Sequence, residues 1–153
     1  MLETMLPILQ GIITCAKAMA SFDSFRRKSK GEARALIEEL KENLRLCYRV
    51  VEDAAPLKEV IPLFSTTVYD RLNQEGYNFN ALKRPSIPAF QGIEKTDLAS
   101  WPGKHAADLI ENIYDKIKDL RSRHAFVPNG PLHRRRINNI LKRILLVLRY
   151  AKY

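Results

Sequence analysis

EARALIEELKENLRLCYRVV, residues 32–51, is the stretch that decides the fold. Its apolar residues recur at spacings that alternate between four and three: Ala33, Ile37, Leu40, Leu44, Cys47 and Val51. This is the period of an α-helix with one buried stripe, and most charged residues of the stretch fall on the other faces. Ser29 followed by Glu32 predicts a capping box at its start. Pro56 predicts its end, because the residue before a proline disfavours helical geometry.

Apolar spacings of three and four predict further helices on both sides of this stretch. The N-terminal helix has an apolar stripe that further apolar residues widen until little polar surface is left. The stripe consists of Ile8, Ile12, Cys15, Met19 and Phe22. A third helix is predicted over residues 57–72, where Pro62 kinks it or marks a restart, and Gly76 suits its end. A fourth helix begins near Pro102, and a fifth runs over residues 131–153. With no convincing strand, the sequence predicts a single all-α domain over residues 1–153, an antiparallel bundle of four to five helices.

Residues 77–103 show no sustained period and carry three prolines, so they predict one long crossover loop, with a short helix near residues 94–100. Aromatic residues such as Phe90 and Trp101 alternate there with Lys83 and Arg84. Aromatic side chains between cations can stack on unpaired bases. More often, aromatic residues of a long loop pack over the bundle as a satellite core, because exposed aromatics lower solubility. We therefore expect the second arrangement.

The charge of the chain is concentrated near its C-terminus. The 153 residues include 26 Lys and Arg against 17 Asp and Glu, a net charge of +9. Up to Ile117 there are 16 basic and 16 acidic residues; from Lys118 onward there are ten basic residues and one acid, Asp119. The whole excess therefore lies in the last 36 residues. Such a segment indicates a polyanion, an acidic protein or an anionic surface as partner.

At about 100° per residue, the last helix has one apolar half and one basic half. Leu146 falls in the middle of the basic half, where we expect water, and Tyr150 lies near the same side. The basic half either binds an anionic partner through its cations or is a solvated helix face; an anionic membrane surface is a weaker third alternative. The candidate binding residues are the cations of this helix: Arg134, Arg135, Arg136, Lys142, Arg143 and Arg149.

The function that follows is a non-enzymatic adaptor or regulatory module, which contacts nucleic acid or an acidic protein through this basic face. A second hypothesis is self-association through the N-terminal helix, which is apolar nearly all round and so suits a subunit interface. A third is a small ribonuclease-like enzyme that uses His124 or His133 with nearby arginines.

The remaining motifs give weaker signals. Cys15 and Cys47 both lie on apolar stripes, which indicates buried thiols, although facing cysteines could pair in an oxidising compartment. Two cysteines in a chain of this size fit a reducing, cytoplasmic environment. No cofactor motif is present, and His105 with Asp108 lacks a second His or Cys at ligand spacing, so we expect no metal. The 13 uncharged residues from Thr4 to Ala16 fall short of the roughly 20 that span a bilayer.

Overall fold

The computed structural model describes residues 14–152, and the part of the predicted N-terminal helix before Thr14 lies outside them. Five helices of eight or more residues form a bundle in this range: α1 Cys15–Arg27, α2 Gly31–Val51, α3 Thr67–Gln74, α4 Ala106–Phe126 and α5 His133–Lys152. Residues 14–152 contain no strand. The connections 28–30 and 127–132 are short, so the helices that they join run antiparallel. The prediction of an all-α bundle of four to five helices is confirmed.

The predicted capping box at the start of α2 is wrong. With Ser29 as its cap, the helix would begin at Lys30; it begins one residue later, at Gly31. The φ angle of Gly31, +56°, lies in the left-handed region. Ser29 instead closes the end of α1, where its hydroxyl donates to the Phe25 carbonyl at 3.0 Å. The Glu32 carboxylate accepts a hydrogen bond from Arg71 at 2.8 Å. The end of α2 at Val51 agrees with the prediction.

The predicted third helix is divided at Pro62. One helical turn, Leu57–Val60, continues into a 3₁₀ turn, Ile61–Leu63, and α3 begins afresh at Thr67. The backbone N–H groups that open a helix have no partner within it. Here the buried Glu39 carboxylate of α2 accepts from the N–H groups of Val68, at 2.8 Å, and Tyr69, at 3.1 Å. A side chain from another helix therefore caps α3.

Helix α5 is the centre of the bundle and packs against α1, α2 and α4. Between Ile140 and Leu148, every residue except Lys142 is buried. Because α5 is buried on nearly all sides, another part of the chain must pack over its basic half.

Residues 83–104, which we call the covering segment, provide that cover. Ile87 joins the two ends of this segment: its N–H donates to the Lys104 carbonyl at 2.7 Å, and its carbonyl accepts from Gly103 at 2.9 Å. Phe90 and Trp101 belong to the core cluster and are buried. The expected packing of the loop aromatics over the bundle is confirmed, while the expected helix near residues 94–100 is only a 3₁₀ turn, Ile93–Lys95.

Candidate functional site

The covering segment divides the six candidate cations of α5 into two groups. Lys142 and Arg143 both pair with Asp97 of this segment, at 3.0 Å and 3.5 Å. The Arg149 guanidinium lies 5.0 Å from the centre of the Phe90 ring, within the range of a cation–π contact. These three cations hold the loop against the bundle, so the face is not one continuous basic surface.

The expectation that water surrounds the basic half of α5 is wrong. Leu146, in the middle of that half, is fully buried. Tyr150 is buried as well, and its hydroxyl donates to the carbonyls of Lys83, at 3.0 Å, and Pro85. An apolar residue in the centre of a polar half is what a covered helix face requires.

Electrostatics explain how charged residues are tolerated under this cover. Burial raises the pKa of Asp97, but Lys142 and Arg143 lower it more, so its pKa is below the usual value. Burial lowers the pKa of Arg143, and Asp97 opposes that shift. Arg143 also donates to the Asn139 carbonyl at 3.0 Å. The pair is a partly buried structural contact, in which loss of one partner leaves the other without compensation.

The other three candidates form the first turn of α5. Arg134 and Arg135 are exposed, and neither forms an ion pair with any residue of the range 14–152. Arg136 is half-buried, with a guanidinium nitrogen 3.5 Å from His133 Nδ1. No acidic residue occupies this turn.

The turn at residues 127–132 brings the end of α4 beside these arginines. Arg123 and Arg136 line one groove between the two helices. Arg123 pairs with Asp119 at 2.9 Å, and Asp119 is the last acidic residue of the sequence. We call the four arginines 123, 134, 135 and 136 the basic corner.

The groove at the basic corner is apolar and has a volume of about 410 Å³. Phe126, Val127 and Leu132 line it with 84%, 56% and 48% of their surface exposed. Helical periodicity does not identify these side chains, because they flank the connection between two predicted helices. The sequence signal that could have found them is the presence of apolar residues on both sides of a Pro-Asn-Gly-Pro turn. Residues beside such a turn are not needed to form the core.

His133 anchors the corner from inside. Its imidazole is buried, and Nε2 lies 2.7 Å from the Val127 carbonyl. A carbonyl oxygen only accepts, so Nε2 carries the proton and Nδ1 faces Arg136. A Cβ atom at Gly130 would lie 2.8 Å from His133 Nε2, so only glycine allows this approach. The His124 ring lies 5.8 Å away, centre to centre. These contacts give His133 a structural role in the turn.

The other chemical candidates are not brought into a site. Cys15 and Cys47 are free thiols, and burial raises the pKa of Cys47 far above its usual value. Asp108 caps α4 by accepting from the His105 N–H at 3.0 Å. Over residues 14–152, no three His, Cys, Asp or Glu side chains converge as a metal site. In the same range, no helix has the length and apolar character needed to cross a bilayer.

Comparison with known proteins gives no relative: no family model, curated protein or solved structure matches the chain.

Proposed function

We propose that this chain is a non-enzymatic helical adaptor or regulatory module, which binds an anionic macromolecule through the basic corner. The observation that carries the proposal is the exposure of Arg134 and Arg135 without any ion pair among the described residues. By contrast, Lys142 and Arg143 are occupied by Asp97. The binding surface is therefore the start of α5 and the end of α4, rather than the whole length of the last helix.

The arginines lie where a positive charge lowers the stability of the helix, and this supports the proposal. The N-terminus of a helix carries a partial positive charge, so cations there are unfavourable by about 0.3–1 kcal/mol each. Arg134, Arg135 and Arg136 all lie in the first four residues of α5, without a neighbouring acid. Natural sequences break such local rules mainly at functional sites, where a ligand compensates. An anionic partner would gain from the three guanidinium groups and from the helix dipole together.

Salt-dependent binding tests the proposal. Fluorescence anisotropy with labelled single-stranded RNA and labelled poly-glutamate, over a salt series, should give an affinity for at least one probe that falls as salt rises. The Arg134→Glu/Arg135→Glu double variant should lose most of that affinity. With RNA, the slope of log affinity against log salt should fall by about 1.4, because each lost phosphate contact contributes about 0.7 for a single strand.

The matched control is Lys28→Glu/Lys30→Glu, which changes the net charge equally at two exposed lysines of the α1–α2 connection. This control should retain most of the affinity. Equal losses in the two double variants would show that only net charge matters and would refute a specific corner. If neither probe binds at low salt, the proposal is refuted.

Neither alternative function has comparable support. The part of the predicted N-terminal helix before Thr14 lies outside the described residues, so the self-association hypothesis stays a prediction. An enzyme that uses His133 would need an accessible imidazole, whereas this ring is buried and bonded to the Val127 carbonyl. An enzyme that uses His124 stays a prediction.

A further inference from the structure

The apolar groove beside the basic corner gathers most of the strongly exposed large apolar side chains of the described residues. Of the four large apolar side chains strongly exposed among residues 14–152, three line this groove: Phe126, Val127 and Leu132. The fourth, Leu63, lies after α2 in the 3₁₀ turn. Single exposed apolar residues are ordinary, but a contiguous group rimmed by charge is typical of a protein-binding surface.

The cations around the groove are all arginines. Arg123 and Arg136 line it, and Arg134 and Arg135 precede Arg136 in the first turn of α5. No lysine occurs between Lys118 and Lys142. The planar guanidinium group matches a carboxylate with two parallel hydrogen bonds, which lysine cannot do. Phenylalanine, tryptophan, tyrosine and arginine are the residues enriched at protein interfaces, where lysine is depleted.

From this complementarity we infer that the groove binds an acidic segment of a partner protein, and that the segment inserts one large apolar side chain between Phe126 and Leu132. A nucleic acid backbone would use the arginines but has no apolar group for Val127 and Leu132. A peptide satisfies both parts: its carboxylates pair with the arginines, and its apolar side chain fills the groove. The inference rests on the proposed function and deepens it by naming the class of partner.

Two designed peptides test the inference on the full chain. Both are short, Glu-rich and labelled; one has a single central Trp and the other has Ser in its place. The Trp peptide should bind about tenfold more tightly. Phe126→Ser should abolish this advantage, because the ring that covers the groove is lost. Leu63→Ser, at an exposed apolar site outside the groove, should preserve it.

The outcomes separate the inference from the proposed function. If the two peptides bind equally, and Arg134→Glu/Arg135→Glu weakens both, the inference fails while the function stands. If that double variant leaves both peptides unaffected, the function itself fails. Persistence of the Trp advantage in Phe126→Ser would also overturn the inference.

Two further results would assign the groove to a partner other than an acidic peptide. Single-stranded RNA that binds more tightly than the Trp peptide and loses affinity in Phe126→Ser would assign the groove to unpaired bases. A dimeric mass for the wild type, and a monomeric mass for Phe126→Ser, would assign it to a second copy of the chain. Because the Phe126 side chain is 84% exposed, its substitution should leave the thermal unfolding midpoint unchanged, which verifies that the variant is folded.

Discussion

Reversal of charge at Arg135 should make the protein more stable while it weakens binding. Arg135 is the third residue of α5 and is exposed. Its positive charge opposes the helix dipole by about 0.3–1 kcal/mol, and a glutamate there gains a similar amount. The Arg135→Glu variant should therefore gain about 1 kcal/mol in the free energy of unfolding. For a chain of this size that corresponds to about 2–4 °C in the unfolding midpoint.

Lys152→Glu is the matched control at the opposite end of the same helix. It makes the same change in net charge at an exposed lysine of the last turn, where the dipole favours a cation. Urea unfolding at low and high salt should show stabilisation by Arg135→Glu, none by Lys152→Glu, and a smaller difference at high salt. Destabilisation by Arg135→Glu would refute the argument that this arginine is held against its local preference.

Three further predictions concern the contacts that hold the site in place. Glu39→Ala should lower the free energy of unfolding by about 2 kcal/mol, because the N–H groups at the start of α3 lose their acceptor. The control Glu42→Ala, at an exposed ion pair, should lower it by less than about 0.5 kcal/mol. Urea unfolding measures both values. Asp97→Asn should cost about 0.5–1 kcal/mol at neutral pH, a value reduced by the partial exposure of Asp97. Burial raises the pKa of Asp97, but Lys142 and Arg143 lower it by more, so the folded pKa is depressed. The stabilisation is therefore complete above the unfolded value of about 4, and the difference from wild type should vanish as pH falls through the lower folded pKa. Gly130→Ala should cost about 1–3 kcal/mol in a thermal unfolding assay, because the added methyl group meets the imidazole beneath it; an unchanged midpoint would show that the turn has another conformation.

The sequence predicted the helices well because their signals are local. The spacing of apolar residues in 32–51 requires no knowledge of the rest of the chain, and neither does the effect of Pro56 on the residues before it. The start of α2 differs from the prediction because the Ser29 hydroxyl donates to the Phe25 carbonyl at the end of α1, instead of capping α2.

The candidate site was predicted only in part because its division depends on contacts between distant residues. Asp97 and Lys142 are 45 residues apart, and Tyr150 and Lys83 are 67 apart. No periodicity within α5 reveals that a loop lies over its basic half. Only Leu146, with Tyr150 near the same side, indicated a covered face. The groove was missed because Phe126 and Leu132 flank a turn, where helical periodicity gives no information.

Backbone NMR of the full chain, titrated with the Glu-rich Trp peptide at low salt, locates the binding surface residue by residue. We expect the largest amide shift changes to cluster at residues 122–136 and to disappear in Arg134→Glu/Arg135→Glu. Changes centred on the covering segment or on α2, with the amides of residues 122–136 unmoved, would contradict this expectation.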